Sequence, residues 1–138
     1  MILVDSSVWI DFFSSAPGAG GHELKRLIAA SEPVVLTGVV LTEVLQGLRR
    51  DVERIERHLA FWDLVEPHGF ETYRNAASLA RLARSRGVSL TTIDSLVATL
   101  SMECGAVLFT LDEDFRRLQS FTSLRIHAAR GVNCCSTL

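Results

Sequence analysis

The sequence predicts an α/β fold, a three-layer α/β/α sandwich around a mainly parallel sheet of roughly five strands. Three observations carry that expectation. Short apolar runs alternate with longer amphipathic stretches, apolar residues within those stretches recur at i, i+3, i+4 and i+7, and glycines stand where two of the helices should stop.

The first strand is Ile2–Val4, and it runs straight into Asp5. A helix opening at Ser6 or Ser7 follows, carrying Val8, Trp9, Ile10, Phe12 and Phe13. It is apolar around too much of its circumference to stand in water, so a cover is expected, either within the monomer or from a second chain. Pro17-Gly18-Ala19-Gly20-Gly21 reads as a flexible turn; it lacks the Lys and Ser/Thr of a phosphate-binding loop. A strand at 33–36 precedes a helix whose core face is Leu41, Val44, Leu45 and Leu48. Val52, Ile55, Leu59 and Trp62 make another stripe, and a strand follows at 64–66. Tyr73, Ala76, Ala77, Ala80 and Ala83 form a small-residue stripe suited to close helix packing, with Gly87 as the stop. Ile93, Leu96, Val97 and Leu100 repeat the core stripe up to Gly105, and strands at 106–110 and, more weakly, 124–126 complete the sheet.

A length of 138 residues suits one domain, expected to span residues 1–130, with a flexible tail at 131–138. The chain is 48% hydrophobic and 22% charged, which fits a globular protein, and no apolar run approaches the about 20 residues of a membrane helix. The amino terminus has none of the features of a secretory signal, so the cytoplasm is the expected location, with no membrane partner. Cys104, Cys134 and Cys135 cannot all pair within one chain, and reduced thiols are expected. A net charge of -2 gives no whole-chain argument for a polyanionic partner. The basic residues are nearly all Arg, with Lys25 the one lysine. Arg49, Arg50, Arg116 and Arg117 suit phosphate contacts and equally suit a solvated surface.

The informative positions are Asp5, Glu43, Asp94 and Asp112, each at or just beyond the start of a helix. Taken singly, each has an ordinary explanation, because acids favour helix amino termini as caps or dipole partners. Asp94, after a cap at Thr91 or Thr92, lies beside its apolar stripe with Ala98 and Ser101 below it, which lets it look into a cleft. Glu43 also falls off its stripe, on the face of Gln46, Gly47 and Arg50. In an open parallel sheet, ligands bind in the crevice beyond the carboxyl ends of the strands, and Asp5 and Asp112 both map there. Carboxylates converging in a partly dry crevice repel each other until protons or cations neutralise them. An all-oxygen donor set suits Mg²⁺ or Mn²⁺, and His22, His58, His68 and His127 are scattered without metal-ligand spacing. The chemistry such a cluster supports is phosphodiester hydrolysis without a covalent nucleophile. Ser6 and Ser7 lack the glycine-flanked elbow of a serine hydrolase.

At this point four strings match a known family in order and spacing. They are Ile2-Leu3-Val4-Asp5-Ser6-Ser7-Val8-Trp9-Ile10, Leu41-Thr42-Glu43-Val44-Leu45-Gln46-Gly47, Thr92-Ile93-Asp94-Ser95-Leu96-Val97-Ala98 and Leu108-Phe109-Thr110-Leu111-Asp112-Glu113-Asp114-Phe115. The chain resembles a PIN domain over nearly its whole length, and specifically the compact VapC-type toxins of toxin–antitoxin systems. The resemblance implies an acidic active site of Asp5, Glu43, Asp94 and Asp112, with Asp5 and Asp94 as Mg²⁺ ligands. Asp114 is a second candidate in the last motif, although the family pattern favours Asp112. Further implications are an RNA substrate, a VapB-type antitoxin as protein partner, and homodimerisation, with the aromatic first helix and Phe61-Trp62 suited to the dimer or the antitoxin surface. A PIN-like module that binds without cutting is the alternative, and the presence of all four acids argues against it. An acidic-site phosphatase or receiver domain would share the architecture, but Asp5-Ser6-Ser7 lacks the Asp-x-Asp pattern of the phosphatase.

Overall fold

The computed structural model describes residues 1–128. Strands β1 (Ile2–Val4), β2 (Val34–Thr37), β3 (Asp63–Val65) and β4 (Val107–Phe109) form one sheet in the order β3-β2-β1-β4. All three pairings are parallel, with Ile2 opposite both Val34 and Val107, and Leu36 opposite Leu64. Every residue of β1 and β2 is buried, so both faces of the central sheet are covered, as a three-layer sandwich requires. The layers come from α1 (Ser6–Phe12), α2 (Ala19–Ala29), α3 (Gly38–Gln46), α4 (Val52–Leu59), α5 (Phe70–Ser85), α6 (Thr92–Glu103) and α7 (Glu113–Leu118).

The sheet has four strands among the described residues, one fewer than expected. The segment at 124–126 contributes a single parallel bridge, Ile126 to Leu108. The reason lies in strand alternation. Val107 donates its N–H to Met1 O, and Phe109 O receives the N–H of Asp5, so both face β1. Leu108 alone turns outward, receiving His127 N–H and donating to Arg125 O at 2.8 Å each. The tail expected at 131–138 lies outside the described residues.

The glycine-rich stretch departs further from expectation. Gly18 is the N-cap of α2, and Gly20 and Gly21 are buried inside the helix. A Cβ on Gly21 would stand 3.0 Å from the backbone of Phe12, and one on Gly20 would stand 2.8 Å from Leu111. These glycines are there for close approach to α1 and to the loop after β4, and a turn signal hides that purpose. Asp11, on α1, supplies the cap that Gly18 lacks, accepting N–H groups from Gly18 at 3.0 Å and Gly21 at 2.7 Å. Those two backbone donors, Gly18 first, hold the Asp11 carboxyl below its ordinary value of 3.8.

The apolar first helix is covered largely within the monomer. Val8 and Trp9 are fully buried, and Trp9 sits in an aromatic group with Phe12, Phe13, His58 and Trp62, at ring centroids 5.7 to 6.1 Å away. Burial, and then the nearby Arg54, push the His58 imidazole below its ordinary pKa. Ile10 still points outward, 53% exposed.

Two helix faces are rotated from the expected stripes. In α5 the buried residues are Thr72, Ala76, Leu79 and Ala83, while Tyr73 is exposed. In α3 the buried pair is Val40 and Val44, with Leu41, Leu45 and Leu48 half-buried beside it. Alanine-rich or uniformly apolar helices carry too little contrast around the axis to fix the phase of the buried face.

Replacing Asp11 with Ala should lower stability by about 1 kcal/mol. That corresponds to about 3–5 °C in a thermal melt. Because the folded pKa of Asp11 is depressed, this contribution is present at neutral pH and fades as pH falls through that value. The wild-type and Asp11→Ala melting curves should therefore converge in acid, and a gap that persists unchanged there would contradict the capping role.

Candidate functional site

The chain lays down β1, β2 and β3 in one direction and then returns β4 to the opposite side of β1. The sheet thus has a topological switch point at the β1 and β4 carboxyl ends, where neighbouring connections diverge and leave a crevice. Asp5 follows β1 directly, and Asp112 follows β4 as the N-cap of α7. Glu43 comes from the helix after β2. Asp94 sits in the first turn of α6, which leads into β4 and so begins at the same edge. Thr91 caps that turn, its hydroxyl accepting the Asp94 N–H at 3.1 Å.

Asp5 and Asp112 resolve the capping question differently. Asp112 does cap: its carboxylate accepts the Asp114 N–H at 2.9 Å. Asp5 occupies the N-cap position of α1, but its carboxylate makes no capping bond. It is 5% exposed, and its Oδ2 accepts the Ser7 hydroxyl at 2.8 Å and the Thr110 hydroxyl at 3.0 Å. The same two hydroxyls accept backbone N–H groups from Leu111 and Asp112, each at 3.0 Å. A small polar network therefore ties the start of α1 to the loop after β4. Ser6 turns the other way and donates to Glu43 Oε1 at 3.1 Å. Ser6, Ser7 and Thr110 escape a reading built on carboxylates, although all three lie within two residues of Asp5 or Asp112 in the sequence.

The charges of the four acids reach one another: Glu43 feels Asp5 and Asp94, and Asp94 feels Asp112 and Asp5. Burial raises the Glu43 carboxyl above its ordinary pKa, and the charges of Asp5 and Asp94 raise it further, against a lowering by Ser6. Asp94 is raised in the same way, by burial first and then by Asp112 and Asp5, against a lowering by Thr91. The half-buried Asp114 side chain lies 3.7 Å from Arg117. Of the two aspartates in that motif, Asp112 is the one whose charge Asp94 feels. His127 lies on Glu23 Oε1 at 3.0 Å and His58 lies among aromatic rings, so neither joins the acids.

Among the described residues, no three His, Cys, Asp or Glu side chains close to the spacing that grips an ion. The chemistry of the donors nevertheless fits a hard divalent cation. Asp5 Oδ1 and Glu43 Oε2 receive no hydrogen bond from the described chain, while their partner oxygens are held by hydroxyls. Two carboxyls raised by burial first, and then by neighbouring acids, are also what a cation would relieve.

Fold and site together define an α/β protein with an acidic crevice at a topological switch point. A sequence model of the PIN domain matches residues 2–120, and the chain belongs to the PIN domain family. It is 28% identical over 137 residues to "Ribonuclease VapC11" of Mycobacterium tuberculosis, covering 94% of this chain and 100% of that protein. The structure is similar to FitAcB from Neisseria gonorrhoeae, with TM-score 0.71 and 18% identity over 94% of this chain and 98% of that one. It is also similar to VapBC2 from Rickettsia felis bound to promoter DNA, with TM-score 0.71 and 16% identity over 92% of this chain and 98% of that one.

A carboxyl with a raised folded pKa costs the native state stability once pH exceeds its unfolded value, and protonation removes that cost. In chelator at neutral pH, Asp94→Asn should therefore melt higher than the wild type, and the gap should shrink as pH falls below the ordinary carboxylate range. Added Mn²⁺ should raise the wild-type melting temperature more than that of the variant, as binding to the native state demands. Equal melting of both proteins at every pH would show that the acids do not strain one another.

Proposed function

We propose that this protein is the toxin component of a type II toxin–antitoxin system, a VapC-type endoribonuclease that hydrolyses RNA phosphodiester bonds in a metal-dependent reaction. One observation supports the reading most: Glu43 and Asp94, from separate stretches of chain, each feel the charge of Asp5, Asp94 feels Asp112 as well, and Asp5 is withheld from the capping its position would favour. The relatives aligned along the whole chain and named ribonucleases support the choice of RNA.

Asp5 and Asp94 are the proposed principal ligands of Mg²⁺, or of Mn²⁺ in its place, with Glu43 and Asp112 completing the acidic site. When bound, the ion supplies a more acidic water and offsets charge on the phosphoryl oxygens. The chain contributes orientation and proton handling. Ser7 and Thr110 fix Asp5 Oδ2, which leaves Oδ1 without a hydrogen bond from the described residues. Ser6 fixes Glu43 Oε1, and Glu43 Oε2, on a carboxyl with raised proton affinity, is suited to take a proton from attacking water. Asp114 serves as an outer carboxylate held near Arg117.

The partners that accompany this reading are a VapB-type antitoxin protein and a second copy of the chain, working in the cytoplasm. No helix among the described residues is long and apolar enough to cross a membrane. Ile10, Phe61 and Phe70 are large apolar side chains left more than half exposed, and such groups suit protein contacts.

Purified protein should cleave RNA in Mg²⁺ or Mn²⁺ and stop when the metal is chelated. Asp5→Asn and Asp94→Asn should each cut kcat by more than roughly 100-fold, with circular dichroism unchanged. Full cleavage by both folded variants would overturn the assignment of the site.

A further inference from the structure

Helices α1 and α3 leave the acidic crevice side by side, joined where Ser6 meets Glu43. One turn further along lie Ile10 on α1 and Gly47 at the end of α3. Beyond them, the two helices and the start of α4 enclose an open hollow of about 660 Å³. It is lined by apolar Ile10, Phe13 and Leu48 and by Arg49, Arg50 and Arg54. Arg54 is occupied, lying 3.5 Å from Asp51, which also lines the hollow. Arg49 and Arg50 are exposed, and neither enters an ion pair among the described residues. Arg116 and Arg117, by contrast, pair along their own helix with Glu113 and Asp114.

This arrangement answers a problem the crevice creates. Four carboxylates repel a polyanion, and a chain of net charge -2 offers no broad attraction, so cations beside the crevice must hold the strand. Val44, next to Glu43 on α3, lines the same hollow as Arg49 and Arg50, which follow the end of that helix.

Resting on the ribonuclease reading, we infer that the hollow between α1, α3 and α4 seats the RNA strand beside the scissile phosphate. Arg49 and Arg50 grip its phosphates, and a base lies against Ile10 and Phe13, the combination that single-strand binding sites use. An acidic amphipathic peptide would find the same charges and the same apolar lining. The strand is favoured because the hollow adjoins the acids: Val44, next to Glu43, and Ile10, four residues after Ser6, both line it, and its arginines match a phosphate chain.

The test uses the full chain carrying Asp94→Asn, so that RNA binds without being cut, and a short fluorescein-labelled single-stranded RNA read by anisotropy across a salt series. Adding Arg49→Ala and Arg50→Ala should weaken binding about tenfold. The slope of log affinity against log salt should also fall by about 0.7 per arginine. Lys25→Ala, on α2, should leave affinity and slope as they were, and all variants should melt together. Unchanged affinity and slope in the arginine variant would overturn the inference, as would equal losses in the lysine variant or no binding by the parent. Retained RNA binding with loss of an acidic helical peptide would reassign the hollow to a protein partner. Cleavage by the wild type tests the ribonuclease reading separately: if RNA is cut and Arg49→Ala/Arg50→Ala leaves KM unchanged, only the seat is wrong.

Discussion

Like charges brought into a partly dry crevice raise each other's energy, and this fold brings four together at one sheet edge. Glu43 and Asp94 bear the cost visibly, since burial and neighbouring acids push both carboxyls toward protonation. What keeps the acids in place is the burial of β1 between β2 and β4. The Asp5 N–H is bonded to Phe109 O at 2.9 Å, so Asp5 cannot move away from the β4 side without breaking the ladder. The hydroxyls of Ser7 and Thr110 then occupy one oxygen of Asp5 and leave the other without a hydrogen bond from the described residues.

The rigidity this needs comes from α1, whose first residues carry the site and whose later residues form the densest aromatic packing in the molecule. Trp9 is fully buried two turns at most from Ser6, and Phe12 and Phe13 pack with it against His58 and Trp62. On its other side, α1 meets α2 so closely that a Cβ on Gly21 would stand 3.0 Å from the Phe12 backbone, and Asp11 caps α2 across the gap. A helix of seven residues is held at both faces, so its amino-terminal hydroxyls stay aimed at two different carboxylates. Mobility at these positions would loosen the geometry that ion binding and water activation require.

Local sequence conveyed most of the layer pattern because strands buried on both faces read as unbroken apolar runs, as Ile2–Val4 and Val34–Thr37 do. It misjudged elements whose residues serve a distant neighbour. Gly18 to Gly21 looked like a turn because nothing nearby in the chain reveals Phe12 and Leu111 pressing against them. The expected fifth strand dwindled to one bridge because pairing depends on which groups of a three-residue β4 are left facing outward. The buried face of α5 was displaced for a simpler reason, that alanine barely distinguishes inside from outside.

The sequence by itself determined the α/β class and the PIN-domain resemblance, and it singled out the four acids proposed as the site, because each depends on residue type and spacing along the chain. Only the tertiary structure decided that Asp5 is withheld from capping while Asp112 is used for it, and that Asp112 faces Asp94 while Asp114 turns to Arg117. It also decided that Arg49 and Arg50 line a hollow and enter no ion pair among the described residues. Hydrogen-bond partners and Coulomb neighbours act through space across separations such as the 105 residues between Asp5 and Thr110, and no local pattern encodes them.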